Sequence, residues 1–156
     1  MMNPSVYLET TVISYLTALP GRDVVVIAHQ QVTRGWWAAR ARFDLYISQV
    51  VLDEAAAGDP EAAARRLAVV RGLPILEVTT VASEVAASFL RSGVLPANAL
   101  IDAIHVATAA VHGIDYLLTW NCRHIANATI RGKLERSCRM LGLQPPLICT
   151  PEELME

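Results

Sequence analysis

The stretch 97–127, ANALIDAIHVATAAVHGIDYLLTWNCRHIAN, decides how the rest of the chain is read. Its first half carries helix punctuation. Asn98 is a capping residue and Gly113 a stop, and between them Leu100, Ile101, Ile104, Val106, Ala107, Ala110 and Val111 fall on nearly every side. A helix apolar all round is buried. Asp102 lies in its first turns, and an ionised carboxylate among apolar neighbours must pair, protonate or bind a metal. The second half reads as a short strand, 116–118, that enters through Asp115 and runs into Thr119, Trp120 and Asn121. Ligands of α/β sheets sit beyond the carboxyl ends of strands, so Thr119 and Asn121 stand at the chemical end and Asp115 at the other.

Working outward, the same pattern recurs. Residues 5–8 read as a strand ending at Glu9-Thr10-Thr11, before an apolar turn through Val12, Ile13, Tyr15 and Leu16. Asp23 caps a long helix with the stripe Val24, Ile27, Ala28, Gln31, Val32, Gly35, Trp36 and Ala39. Trp36 and Trp37 stand about 100° apart on it, so one covers the core margin or edges toward a partner. A second strand, 45–47, leads through Ser48 into a helix that places Glu54 about two turns past the strand end. Asp59-Pro60 opens the next helix, 75–78 is a third strand, and Thr80 caps a helix through Phe89 and Leu90. A helix over 129–141 and a strand over 147–149 close the chain. No repeat or linker divides it, so residues 1–156 read as a single domain, and strands alternating with helices imply a parallel sheet covered on both faces.

The 156 residues allow a substantial core, and 53% hydrophobic content with a mean hydropathy of +0.35 leaves apolar surface for a partner interface. No uncharged apolar run reaches a membrane span and no secretory signal opens the chain, so a cytoplasmic location without membrane contact is expected. The three cysteines, Cys122, Cys138 and Cys149, lack CxxC spacing and read as reduced thiols. A net charge of −2 does not announce a nucleic-acid binder. The arginines cluster at 34–42, 65–71 and, with Lys133, 123–139, a pattern that solvated helix faces explain.

The polar residues past strand ends are Glu9, Glu54, Asp102 and Asn121, with Thr10, Thr11, Ser14 and Thr119 as hydroxyl companions. Three carboxylates converging at about 5 Å repel by roughly 3 kcal/mol per pair at an effective dielectric of about 20. A cation removes that conflict, and oxygen ligands favour Mg²⁺ or Mn²⁺ over zinc. Such an ion activates water for attack on phosphorus. Arg123 and His124 follow Asn121, where they meet a phosphate or simply face solvent. His105 stands three residues after Asp102, within reach of it, and as a type reads as a hydrogen-bonded core or rim histidine; His112 and His29 read the same way.

Four segments, VYLETTVIS (6–14), SQVVLDEAAAGDP (48–60), LIDAIHVATA (100–109) and YLLTWNCRHIAN (116–127), resemble the PIN-domain family, and within it the VapC-like ribonuclease toxins of bacterial toxin–antitoxin pairs. The resemblance implies a three-layer α/β/α sandwich around a mainly parallel sheet, a divalent-metal acidic site, cleavage of single-stranded RNA, homodimerisation and neutralisation by a small antitoxin. It assigns Glu9, Glu54, Asp102 and Asn121 as metal ligands, with Thr119 completing the catalytic set and Thr10, Ser14, Arg123 and His124 toward RNA. Two departures stand out. Glu9 occupies a position where Asp is usual, and Asn121 one where a fourth acid is common. The second of these keeps open a different class of function, a catalytically weakened PIN-fold protein that binds an antitoxin or a nucleic acid. A phosphatase with a carboxylate nucleophile lacks its DxD element here. An antitoxin is expected to lay a basic or apolar segment over the acidic cleft and the Trp36–Trp37 region.

Overall fold

The computed structural model describes residues 2–155. Its strands are β1 (Ser5–Leu8), β2 (Asp44–Ser48), β3 (Ile75–Leu76), β4 (Tyr116–Leu118) and β5 (Leu147–Cys149), all parallel in the order β3-β2-β1-β4-β5. The helices are α1 (Thr10–Thr17), α2 (Val24–Ala38), α3 (Gln49–Ala55), α4 (Pro60–Val70), α5 (Thr80–Arg91), α6 (Leu100–Val111) and α7 (Ala128–Met140). Strand order moves one way from β1 to β3 and the other way from β4 to β5. Right-handed crossovers therefore send α1–α4 to one face and α5–α7 to the other, giving the expected α/β/α sandwich. Central β1 is buried on both faces, with Val6, Tyr7 and Leu8 all at 0% exposure.

Chain order reverses between β1 and β4, which is where α/β sheets open a crevice. The register pairs Leu8 with Leu118, so Glu9 and Thr119 leave the sheet side by side. The Glu9 N–H continues the ladder to the Leu118 carbonyl at 3.0 Å, and the Thr119 N–H reaches Cys149 at 3.0 Å.

Several local expectations shift. The core-facing side of α2 is Gln30, Thr33 and Trp36, while Val24 is 80% exposed. The inward polar side chains have dedicated partners: Gln30 ties the 19–21 turn through Leu19 O and Gly21 N, and Thr33 accepts from Trp120 Nε1. Trp36 is wholly buried, and Trp37, half-buried under the Arg40 guanidinium at 4.3 Å, is the one of the two that covers the core margin. Helix α6 starts after Ala99 with no side-chain cap, not at Asn98, and its first turn exposes Leu100 and Ile101 while 103 and 105–110 are buried. Thr79, not Thr80, caps α5, and β3 ends at Leu76. Buried Cys138 and Cys149 have thiols pushed up to about 11 and about 12 by burial, as inert thiols should.

Candidate active site

Glu9 is the N-cap of α1, with its carboxylate accepting from the Thr11 N–H at 3.2 Å, and it is only 3% exposed. Burial of a carboxylate is tolerable where donors converge on it. Oε1 accepts from Thr119 Oγ1 at 2.6 Å and from the Thr11 hydroxyl, and the α1 N-terminus adds its positive end. The adjacency of the β1 and β4 ends thus makes the Glu9–Thr119 pair.

Glu54, on the last turn of α3, lies half-exposed across the crevice. Its Oε1 accepts from Thr10 Oγ1 at 2.6 Å and from His105 Nε2 at 2.6 Å. Partial burial opposes its ionisation, but the hydrogen bonds from His105 and Thr10 and the charge interaction with His105 outweigh it, and its pKa lies below the ordinary value. Thr10 thus gives its hydroxyl proton to Glu54.

Ligating atoms of Glu9, Glu54 and His105 lie within 4.8 Å of one another. At that spacing the two carboxylates repel by about 3 kcal/mol at an effective dielectric of about 20. Tyr7, wholly buried beneath them, has its pKa raised by burial and then by the charges of Glu9 and Glu54. The donor set suits a hard divalent cation. Both nitrogens of His105 already have partners, Nε2 on Glu54 and Nδ1 on the Tyr7 hydroxyl at 2.6 Å, so the carboxylate oxygens are the atoms that could hold one.

Asp102 is not in that group, nor is it sunk in apolar surroundings. It sits on the rim of α6, its side chain 21% exposed, while the nitrogens of His105 hydrogen-bond Tyr7 and Glu54. Oδ1 accepts from Asn121 Nδ2 at 3.0 Å and Oδ2 from His124 Nδ1 at 2.9 Å. Asn121 Oδ1 accepts from the His124 backbone N–H at 3.1 Å while Nδ2 donates to Asp102, so the side-chain amide orientation is fixed from both ends, and the Asn121 backbone N–H donates to Thr119 Oγ1 at 2.9 Å. A continuous path of hydrogen bonds, Asp102–Asn121–Thr119–Glu9, links the rim acid to the buried one.

Of the remaining expectations, Arg123 is exposed beside Asn121 and His124 turns to Asp102. Ser14 lies a turn along α1, lining an apolar groove with Tyr15, Ala18, Val26 and Gln30, away from the carboxylates. His112 binds the Glu77 carbonyl, and His29 stacks on Trp120 at 4.0 Å, pinning α2 to the chain after β4. Arg65 and Arg66 cap helix ends through the carbonyls of Thr17, Ala55 and Ala57. A cavity of about 540 Å³ opens at the other end of the sheet, among Pro4, Arg42, Phe43, Tyr116 and Leu147, and none of the candidate residues lines it. Sequence reasoning missed Tyr7 and Ser48. The available signal was a tyrosine in the middle of an apolar central strand, whose hydroxyl must find a partner.

Residues 6–128 match the model of the PIN domain family. The fold is similar to that of the VapBC2 complex of Rickettsia felis, solved bound to a DNA fragment from its promoter, at a TM-score of 0.58 and 15% identity over 93% of this chain and 97% of that one. It is also similar to VapC20 of Mycobacterium tuberculosis, a toxin that cleaves the Sarcin-Ricin loop, at a TM-score of 0.57 and 19% identity over 72% of this chain and 87% of that one. A search of curated proteins gives no match.

Proposed function

This chain belongs to the PIN domain family, and on that premise we propose that it is a divalent-metal-dependent endoribonuclease that hydrolyses phosphodiester bonds in single-stranded RNA, acting as the toxin of a toxin–antitoxin pair. The observation that carries the reading is the approach of Glu9 and Glu54 to within 4.8 Å at the β1/β4 switch point, with no arginine or lysine among their hydrogen-bond partners. Glu9 and Glu54 would hold Mg²⁺ or Mn²⁺, with Asp102 at the rim. Once bound, the ion supplies charge stabilisation and a more acidic water. Thr119 and Thr11 fix Glu9, Thr10 and His105 fix Glu54, and Asn121 and His124 fix Asp102. Arg123, exposed next to this row, is the cation placed to meet a phosphate. No helix among the described residues is long and apolar enough to cross a membrane; the cytoplasm, a small antitoxin and a homodimer belong to the same proposal.

A second reading, a PIN-fold binding protein with weakened chemistry, is favoured by Asp102 having both oxygens engaged by Asn121 and His124. End-labelled single-stranded RNA incubated with Mn²⁺ or with chelator, using the protein and Asp102→Asn purified identically, separates the two. Metal-dependent cleavage, absent in the variant and leaving 5′-phosphate and 3′-hydroxyl ends, supports the nuclease. Cyclic phosphate ends, or equal traces from both proteins, overturn it.

A further inference from the structure

The core beneath the carboxylates contains three polar side chains at 0% exposure: Tyr7 in β1, Ser48 at the end of β2 and His105 in α6. Burying polar groups in a core this apolar gains little over hydrophobic residues of the same shape unless a geometry is being specified. Here the geometry is a single line. Ser48 Oγ lies 2.7 Å from the Tyr7 hydroxyl, that hydroxyl 2.6 Å from His105 Nδ1, and His105 Nε2 2.6 Å from Glu54 Oε1. An ionised carboxylate only accepts, so Nε2 donates to Glu54, and Nδ1 and the two hydroxyls close the rest of the line among themselves, each hydroxyl being able to donate and to accept. Every polar atom in the line is thereby satisfied. The ring of Tyr7 meets that of His105 edge-on at 5.7 Å, which further restricts the imidazole.

We propose that Ser48, Tyr7 and His105 form a positioning relay that fixes the Glu54 side chain from behind, and that this relay, rather than a direct bond from His105, sets how tightly the site holds its ion. The inference rests on the reading of Glu54 as a metal ligand. Its physical content is that Oε1 is held by two donors, His105 and Thr10, anchored in different elements, which leaves Oε2 to the crevice. Hydrogen-bond partners that orient ligating groups typically contribute about 10- to 100-fold in metal affinity.

The two ends of the imidazole can be tested separately, because a glutamine amide nitrogen falls near Nε2 and an asparagine amide nitrogen near Nδ1. His105→Gln keeps a donor toward Glu54, and His105→Asn loses it. Titration of the apo protein with Mn²⁺ alone by calorimetry, with circular dichroism melts to certify the fold, is the experiment. Expected are a rise in Kd of about 3- to 10-fold for His105→Gln, which keeps the donor to Glu54 but loses the link to Tyr7, a similar rise of about 3- to 10-fold for Tyr7→Phe, which keeps the ring and removes one oxygen, and a rise of about 10- to 100-fold for His105→Asn. Glu54→Gln, predicted to lose binding, serves as the reference. If Glu54→Gln binds Mn²⁺ like wild type, the ligand assignment fails and the relay with it. If Glu54→Gln loses binding while Tyr7→Phe and His105→Asn match wild type, the assignment stands and the relay is overturned. Equal weakening in His105→Gln and His105→Asn likewise overturns it, since a merely space-filling histidine would respond that way.

Discussion

Asn121→Asp restores an acid at a position where the structure has built an amide, and the geometry predicts a conditional penalty. The Asn121 nitrogen that donates to Asp102 Oδ1 at 3.0 Å would be replaced by an oxygen carrying like charge. At that separation and an effective dielectric of about 20 the repulsion is about 5 kcal/mol. Part of it relaxes by solvent screening, Asp102 being 21% exposed, and part by one carboxyl retaining a proton. A loss of about 2–4 kcal/mol at about pH 7 in chelator remains, which in a chain of this size lowers Tm by roughly 5–15 °C. The sign with pH follows from linkage. The variant pair contains a carboxyl whose folded pKa is raised, so the folded state is penalised above that pKa and the deficit relative to wild type narrows as pH falls through it toward about pH 4. Excess Mn²⁺ should narrow the deficit at neutral pH as well, because a cation can occupy the space between the two acids. Calorimetric melts of both proteins across pH, with chelator and with Mn²⁺, measure all three effects. Equal melting at about pH 7 in chelator, or a deficit that widens on acidification, would refute the reasoning.

Glu54, with a pKa below its ordinary value of 4.5, contributes stability that is complete above that value and lost as pH falls through the lowered one; acid unfolding of Glu54→Gln should therefore show a flatter limb there, and an unchanged limb would contradict the pairing. Trp120 donates to Thr33 at 2.8 Å whereas the Trp36 indole N–H is buried with no partner among the described residues, so urea unfolding should rank Trp120→Phe below Trp36→Phe by about 1–2 kcal/mol. The opposite order would show that packing rather than hydrogen bonding dominates at these sites. Arg66 donates to the Ala55 and Ala57 carbonyls at 2.9 and 2.6 Å, so Arg66→Ala should lose about 1–2 kcal/mol of stability while RNA affinity measured by filter binding stays unchanged; a parallel fall in affinity would return that cluster to the RNA surface.

The strand ends could be found from the sequence because apolar runs and the residues that follow them are local signals. Val6, Tyr7 and Leu8 before Glu9, and Tyr116 to Leu118 before Thr119, put both polar residues at one edge as soon as the sheet is parallel. Local signals failed where tertiary partners decide. Val24 continues an apolar stripe but points to solvent, because Gln30 and Thr33 have core-side partners at Leu19, Gly21 and Trp120. The same holds in the site. The acids were legible one by one, but His105 is paired with Tyr7 across 98 positions and with Glu54 across 51, distances over which spacing carries no information. The i+3 relation to Asp102 pointed the wrong way, since α6 turns His105 inward and leaves Asp102 on the rim.

The two functional readings differ in what neutralises the crevice. Thr119 and Thr11 supply dipoles to Glu9 but no net charge, whereas Glu54 is held by Thr10 and by His105. Two carboxylates thus approach within 4.8 Å, with hydroxyls and a backbone N–H alone orienting Glu9. A protein that needed only its fold would gain from an amide in either place, as it has one at Asn121, where the amide settles Asp102. Asp102 thus meets an amide and an imidazole at the rim, whereas Glu9 one step deeper meets hydroxyls and a backbone N–H alone. On the proposed function the ion would sit with Glu9 and Glu54, and Asp102, held by Asn121 and His124, would take the outer face toward a substrate.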